Sequence, residues 1–109
     1  MKRGEIWTAA AGADYAGKPR PVVILQDDRF DRTDSITVCP LTSDPTSAAI
    51  FRVPIDPSVD NGLRKRSFVM SDKVISIPRT RIGARIGRVS GTDMQNINRA
   101  VLVFLGLAG

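Results

Sequence analysis

Short runs of apolar and β-branched residues, bounded by Gly, Pro, Asp or Asn, recur along most of this chain and predict a β-fold. The run from Pro21 to Leu25 is apolar throughout, which indicates a central strand covered on both faces. Because the chain has no internal repeat and no low-complexity linker, residues 1–109 are expected to form one domain. The predicted strands are Glu5 to Ala9, Pro21 to Gln26, Ser35 to Leu41, Ile50 to Ile55, Ser67 to Ile77 and Arg85 to Val89.

The spacing of apolar residues changes to that of a helix after Thr92. Ser90 or Thr92 can cap its start, and Thr92 with Gln95 three residues later fits a capping box. Gly106 is a suitable terminator. The expected fold is α+β and mainly β, a small barrel of six strands with a C-terminal helix packed against it. One apolar face of the helix is formed by Met94, Ile97, Val101 and Leu105.

The composition is that of an ordinary globular protein, with 42% hydrophobic and 25% charged residues. No apolar run approaches the roughly 20 residues that a membrane-spanning helix needs. Met1-Lys2-Arg3 is basic like the start of a signal peptide, but Gly4-Glu5 follows where an apolar run would begin. A cytoplasmic protein without a membrane segment is therefore expected.

The absence of histidine narrows the chemistry, because it removes the usual general base and the commonest metal ligand. Cys39 is the only cysteine and lies in an apolar run, so we expect a buried core residue rather than a disulfide or a cysteine-rich zinc site. Any catalysis then depends on arginine, lysine, carboxylates, hydroxyls or the backbone. Neither a metal nor a cofactor is expected.

The net charge of +5 adds a partner class to this picture. An isoelectric point near 10.1 is typical of proteins that bind nucleic acids, although many basic proteins bind no polyanion.

An ordered set of four segments spans nearly the whole chain. Single strings such as Arg-Pro or Leu-Thr-Ser are common, whereas four segments in this order are specific. The segments are Lys2-Arg3-Gly4-Glu5-Ile6-Trp7, then Arg20-Pro21-Val22-Val23-Ile24, then Val38-Cys39-Pro40-Leu41-Thr42-Ser43, and a last block from Gly62-Leu63 through Ser67-Phe68-Val69-Met70-Ser71-Asp72-Lys73 and Ile86-Gly87-Arg88-Val89-Ser90 to Leu105-Gly106-Leu107. In these segments the chain resembles the MazF/PemK family of toxin ribonucleases.

The resemblance implies an SH3-like barrel, a homodimer and a toxin of a type II toxin–antitoxin system, inhibited by its cognate antitoxin protein. It also implies a sequence-specific, metal-independent endoribonuclease that cuts single-stranded RNA. In that reaction the RNA's own 2′-hydroxyl attacks the phosphate and leaves a 2′,3′-cyclic phosphate, so the protein need not supply a nucleophile. The lack of histidine is compatible with this chemistry, and DNA would be spared because it lacks the hydroxyl.

Three residues are implied as catalytic by their match to the family's motifs: Arg20, Thr42 and Asp72. A guanidinium such as that of Arg20 can stabilise charge on phosphate oxygens, although an exposed arginine at a strand edge is the simpler interpretation. The Thr42 hydroxyl can donate to the phosphate, or form a local turn with its own backbone. Asp72 matches an acidic general acid or base of some relatives, or forms an ordinary salt bridge.

Substrate binding is assigned to Ser43, Lys18, Asp14 and Arg66. The chain departs from the family pattern at Met70, where some members carry an arginine two residues before the acid, and in the loop before Arg20, where others carry a glutamate or histidine. The general base therefore stays open between Asp72 and Asp14. Base specificity is expected in two loops, residues 10–18 and 45–49.

Three further interpretations remain open. Trp7 and Phe51 are candidates for base stacking, but core packing or a dimer face suits Trp7 better. A poison of DNA gyrase is known on the same barrel in the CcdB family, whose C-terminal helix ends in exposed Trp-Gly-Ile-like residues, whereas this chain ends Gly106-Leu107-Ala108-Gly109 with no tryptophan near. A basic barrel that binds RNA without cutting it is the other alternative. The basic residues that could follow an RNA backbone are Arg64, Lys65, Arg66, Arg79, Arg81, Arg85 and Arg88.

Overall fold

The computed structural model describes residues 1–10, 18–45 and 50–109 and confirms a mainly β chain with one C-terminal helix. The elements are β1 (Glu5–Ala10), β2 (Pro19–Ile24), β3 (Ser35–Thr42), β4 (Arg52–Ile55), β5 (Ser67–Met70), β6 (Ile75–Pro78), β7 (Ile82–Arg88) and α1 (Gly91–Phe104), with short 3-10 turns at Asp28–Phe30, Ser71–Lys73 and Arg79–Arg81.

All strand pairs are antiparallel, in the order β4-β5-β3-β2-β1-β7, and β6 pairs with β3 beside β5. The molecule measures 34 × 30 × 28 Å. The sheet is curled, because Ala9 of β1 and Arg52 of β4, four strand spacings apart, line the same cleft. Within the described ranges no hydrogen-bonded pair joins β4 to β7. The barrel-like sheet is therefore open between these two end strands.

The single strand predicted over Ser67 to Ile77 is wrong, because the chain turns at Ser71–Lys73 and forms two strands. The break follows from the length of β3, which pairs with β6 over Ser35–Val38 and with β5 at Leu41–Thr42. A straight strand could not follow the curl of the sheet along both parts of β3. The other strand ends differ from the predictions by up to three residues, since pairing rather than apolar content sets them.

Two apolar clusters lie on opposite faces of the central strands. In β2, Val23 belongs to the first apolar cluster, which lies under helix α1, whereas Val22 and Ile24 belong to the second apolar cluster, on the other face. The prediction that this strand is covered on both faces is confirmed. Ile97 is the fully buried residue of α1, which packs on β4 and on the turn at Ser71–Lys73. The second face carries no helix and is open to a cleft described below.

Helix α1 begins and ends at the residues that the sequence indicated. The Ser90 side chain caps its start by accepting the backbone N–H of Asp93 at 3.0 Å, so Ser90 rather than Thr92 is the cap. At the other end Gly106 adopts a φ of 76°, and the N–H of Leu107 donates to the carbonyl of Leu102, the pattern of a Schellman motif. In the part of the chain that is described, no helix has the length and apolar content needed to cross a membrane.

Replacing Ser90 with alanine is expected to lower the free energy of unfolding by about 1 kcal/mol, because the N–H of Asp93 loses its acceptor. Denaturant unfolding of the wild-type protein and Ser90→Ala measures the difference. Thr92→Ala is the control, since Thr92 lies inside the helix and is exposed. A larger loss for Thr92→Ala than for Ser90→Ala would contradict the assignment of the cap.

Candidate active site

Arg20 and Thr42 lie on adjacent strands, on the face of the sheet that carries no helix. Val22 of β2 pairs with Pro40 of β3, and extending this antiparallel register by two residues places Arg20 opposite Thr42. Because side chains alternate along a strand, both residues share the face of Val22. On the other side of Arg20 stands Ala9 of β1, whose small side chain leaves room above the sheet.

A cleft of about 350 Å³ opens on this face and contains both residues. Its floor is the second apolar cluster, and the charged lining residues in the described part of the chain are the cations Arg20, Arg52 and Lys73. An apolar floor with a cationic rim favours an anion whose charge is held at the edge of a partly desolvated site. The lining residues are Ala9, Arg20, Val22, Val38, Pro40, Leu41, Thr42, Arg52, Met70, Lys73, Ile75 and Ile77.

The Thr42 hydroxyl already has one fixed partner. Its oxygen accepts the backbone N–H of Asp44 at 3.2 Å, which is the local turn considered from the sequence. A hydroxyl that accepts in this way keeps its own O–H for donation. The turn therefore positions the hydroxyl at the end of β3 and leaves it able to donate into the cleft.

Arg52, like Lys73, is a charged lining residue that sequence reasoning did not assign to the site. It pairs with Asp72 through two hydrogen bonds, from Nε to Oδ1 at 2.8 Å and from Nη2 to Oδ2 at 3.0 Å. The two side chains are only 12% and 16% exposed. A signal was present in the sequence, since Arg52 is the one charge in the run from Ile50 to Ile55.

The ion pair changes what Asp72 can do chemically. Hydrogen bonds from Arg52 hold the pKa of the Asp72 carboxyl below its ordinary value, although partial burial acts in the opposite direction. A carboxyl with a lowered pKa carries no proton to donate at neutral pH and is a weak base. By linkage, the ion pair stabilises the fold above the unfolded pKa near 4, and this contribution is lost as the pH falls through the lower folded pKa.

The predicted substrate-binding residues that the structure describes lie outside this cleft. Ser43 lines a separate groove with Arg64 and Lys65, and Lys18 is exposed just before β2. Arg66 pairs with Asp56 at 3.1 Å. Asp14 lies outside the described residues, as does most of the two loops at 10–18 and 45–49.

The two candidates for base stacking both take part in packing. The Trp7 indole N–H donates to Glu5 Oε1 at 3.1 Å, and its ring packs against the second apolar cluster. The Phe51 ring lies 5.3 Å from that of Phe104 on helix α1. Trp7 therefore packs against the core, whereas Phe51 makes a contact with helix α1 near the surface.

Cys39 is fully buried, as predicted. Burial, with a smaller effect of the negative charge of Asp72, raises the pKa of its thiol to about 12. The thiol therefore stays protonated and unreactive at neutral pH. Over residues 1–10, 18–45 and 50–109, no three carboxylate or thiol groups lie together in a way that could hold a metal ion.

Comparison with known proteins matches the chain over nearly its full length. Residues 2–105 match the family described as PemK-like, MazF-like toxin of type II toxin–antitoxin system. The chain is 52% identical over 109 residues to a probable endoribonuclease MazF of Mycolicibacterium smegmatis, covering all of both chains. It is 31% identical to endoribonuclease MazF9 of Mycobacterium tuberculosis, with 98% of each chain covered.

Solved structures share the fold. One is the toxin MazF-mt6 of Mycobacterium tuberculosis, which is 26% identical with a TM-score of 0.81, over 96% of this chain and 99% of that one. Another is an endoribonuclease from a mycobacterial species in complex with its cognate antitoxin, which is 22% identical with a TM-score of 0.83, over 100% and 98% of the two chains. At 22% identity, the similarity to this second structure shows a shared fold and no more.

Proposed function

The chain belongs to the PemK-like, MazF-like family of toxins of type II toxin–antitoxin systems, and we propose that it is an endoribonuclease that cuts single-stranded RNA in the cleft at Arg20 and Thr42. The observation that carries the proposal is the placement of these two residues opposite each other, on the rim of a cleft that Arg52 and Lys73 also line. The endoribonuclease names of relatives 52% and 31% identical to the chain support the activity.

The chemistry proposed for this cleft uses the RNA as its own nucleophile. The 2′-oxygen bonds to phosphorus, the bond to the 5′-oxygen breaks, and a 2′,3′-cyclic phosphate and a 5′-hydroxyl result. The Arg20 guanidinium stabilises charge on the non-bridging oxygens, and the Thr42 hydroxyl donates to the same phosphate. One proton leaves the 2′-hydroxyl and one reaches the 5′-oxygen. Asp14 remains a predicted base, whereas the lowered pKa of Asp72 favours a positioning role.

We also propose two protein partners for the chain, an antitoxin and a second copy of itself. A mycobacterial relative of this fold was solved with its cognate antitoxin, and we infer that this chain likewise binds an antitoxin. Exposed apolar side chains at the end of α1, among them Leu102 and Phe104, suit a homodimer contact. We place the protein in the cytoplasm, where its RNA substrate is found. Ser43, Lys18 and Arg66 are proposed to contact RNA beyond the cleft.

Incubation of the purified protein with a mixed-sequence RNA in EDTA tests the function. Discrete fragments are expected, and single-stranded DNA of the same sequence should stay intact. Intact RNA across several unrelated transcripts would contradict the proposal. Inhibition of DNA gyrase without RNA cleavage would favour the gyrase-poison alternative, and tight RNA binding without cleavage would favour a binding protein.

Replacing Thr42 with valine is expected to lower kcat for RNA cleavage by roughly tenfold or more, because a hydrogen bond to charged phosphate is lost while the side-chain volume is kept. Single-turnover cleavage at saturating enzyme measures this. Thr37→Val is the matched control, because Thr37 lies on the same strand and its hydroxyl bonds to Ser76 rather than lining the cleft. Equal rates for Thr42→Val and the wild-type protein would remove Thr42 from the mechanism.

A further inference from the structure

We propose that Arg52 binds a second phosphate of the RNA, next to the scissile one, and that Asp72 is the positioning residue that holds Arg52 in place. This inference rests on the proposed ribonuclease function. It assigns a role to an arginine that the family segments in the sequence do not contain, and it gives Asp72 a task other than proton transfer.

The ion pair fixes the Arg52 guanidinium in one orientation. Asp72 takes one N–H from Nε and one from Nη2, at 2.8 and 3.0 Å, along a single edge of the planar group. A guanidinium has five N–H donors, and this pair uses one on Nε and one on Nη2. The two donors on Nη1 take no part in it. The ring of Phe51, 5.9 Å from the guanidinium carbon, borders the group from another side. The result is an oriented donor rather than a mobile surface arginine.

The sheet places Arg52 at a distance from Arg20. Arg52 of β4 pairs with Met70 of β5, and extending the β5–β3 register places Met70 beside Pro40, which pairs with Val22. Three strand spacings, about 14 Å along the sheet, therefore separate the backbone of Arg52 from β2, where Arg20 lies. Curling of the sheet brings both side chains to one cleft.

The anchoring by Asp72 decides which phosphate Arg52 can reach. Because Asp72 holds two of its donors and the side chain is only 12% exposed, Arg52 cannot swing across the cleft to the phosphate between Arg20 and Thr42. RNA, however, presents a phosphate at every nucleotide. A strand with its scissile phosphate at Arg20 would therefore place a neighbouring phosphate near Arg52, which lines the same cleft.

The test pairs protein variants with charge-neutral positions in the substrate. Cleavage of a mixed-sequence RNA is first mapped, and a short oligonucleotide around one site is made with a single 2′-deoxy nucleotide so that it binds without being cut. A neutral methylphosphonate linkage is then moved along this oligonucleotide, one position at a time. Dissociation constants are measured for the wild-type protein and for Arg52→Gln.

We expect one methylphosphonate position, adjacent to the scissile linkage, to weaken binding to the wild-type protein by roughly ten- to a hundredfold. Arg52→Gln should bind the unmodified oligonucleotide more weakly by a similar factor and should no longer respond to that position. If every methylphosphonate position weakens binding to Arg52→Gln as much as it weakens binding to the wild-type protein, the inference is overturned. The ribonuclease proposal would still stand if the wild-type protein cleaves RNA, and both fall if it does not.

Asp72 is tested by its effect on kcat and on the pH profile. If Asp72 only positions Arg52, Asp72→Asn should weaken RNA binding and leave the pH dependence of kcat unchanged. In the double variant with Arg52→Gln, it should reduce the RNA affinity little further. A proton carrier gives a different result, in which Asp72→Asn keeps the affinity, lowers kcat and removes one limb of the pH profile. That result would overturn the positioning role.

The chain provides a matched control for removing a paired arginine. Arg29 binds Asp27 through the same two nitrogen atoms, at 3.1 and 3.3 Å, but this pair is exposed and does not line the cleft. Arg29→Gln should leave RNA binding unchanged at constant ionic strength. Should Arg52→Gln not fold, Arg52→Lys keeps the charge and loses the two-pronged pair, and a reduced response to the same methylphosphonate is expected. An unreduced response would count against the inference.

Discussion

Replacing Arg20 with alanine is expected to lower kcat for RNA cleavage by about 10²–10³-fold, the usual effect of removing one preorganised donor from a charged transition state. Arg20 stands opposite Thr42 and lines the cleft, so its guanidinium is placed to contact the phosphate on which negative charge accumulates. Because the attacking oxygen belongs to the RNA, charge stabilisation and positioning make up most of the protein's contribution. Single-turnover kinetics with a mapped substrate measure the loss.

The lysine variant separates shape from charge at this position. Arg20→Lys keeps the positive charge but lacks the planar fork, so it should recover only part of the lost rate. Arg29→Ala removes a charge from the exposed pair with Asp27 and should cleave at the wild-type rate. Full activity of Arg20→Ala, with Arg29→Ala equally active, would show that cleavage occurs elsewhere on the chain.

Replacing Ile97 with alanine is expected to lower the free energy of unfolding by about 2–5 kcal/mol, the range for truncating a buried aliphatic side chain. Ile97 is fully buried and carries helix α1 into the cluster formed by residues of β1 to β5, among them Ile6, Val23 and Ile55. The cavity would open beneath the helix, on the face opposite the cleft. Urea unfolding followed by circular dichroism measures the change.

A graded series strengthens this test. Ile97→Val removes one methylene and should cost about 0.5–1.5 kcal/mol, whereas Gln95→Ala, at an exposed position of the same helix, should stay within about 0.5 kcal/mol of the wild-type protein. At denaturant concentrations below its unfolding transition, Ile97→Ala should still cleave RNA, because the cleft lies on the opposite face of the sheet. A loss for Ile97→Ala no larger than that for Gln95→Ala would mean that α1 does not pack on the sheet through this residue.

The features that the sequence predicted correctly are local. Alternation and apolar runs identified the strands, and the i, i+3, i+7 spacing identified the face of α1 around Ile97. Capping chemistry indicated a start at Ser90 or Thr92 and an end at Gly106, and the structure has Ser90 as the cap, because such residues act on backbone groups only a few positions away. The family segments contained Arg20 and Thr42, the two predicted residues that line the cleft.

What the sequence could not predict depends on strand register. Arg52 and Asp72 are 20 positions apart, and they meet because β4 pairs with β5 and the chain then turns at Ser71–Lys73. The strand predicted from Ser67 to Ile77 ran straight through that turn. With the turn missing from the prediction, the contact between Asp72 and Arg52 was missed as well. The polar residues Ser71-Asp72-Lys73 stand at the turn, but polar residues also occur inside strands, so composition alone did not separate a turn from a continuing strand.

The most direct test of the proposed mechanism is cleavage of an RNA oligonucleotide that carries a single 2′-deoxy nucleotide on the 5′ side of the mapped scissile phosphate, in EDTA. We expect the all-ribose substrate to be cut to a 2′,3′-cyclic phosphate end and a 5′-hydroxyl end, and the single deoxy substitution to abolish cleavage at that linkage. Cleavage of the deoxy substrate at the same linkage, or a 5′-phosphate end from the all-ribose substrate, would contradict the proposed mechanism.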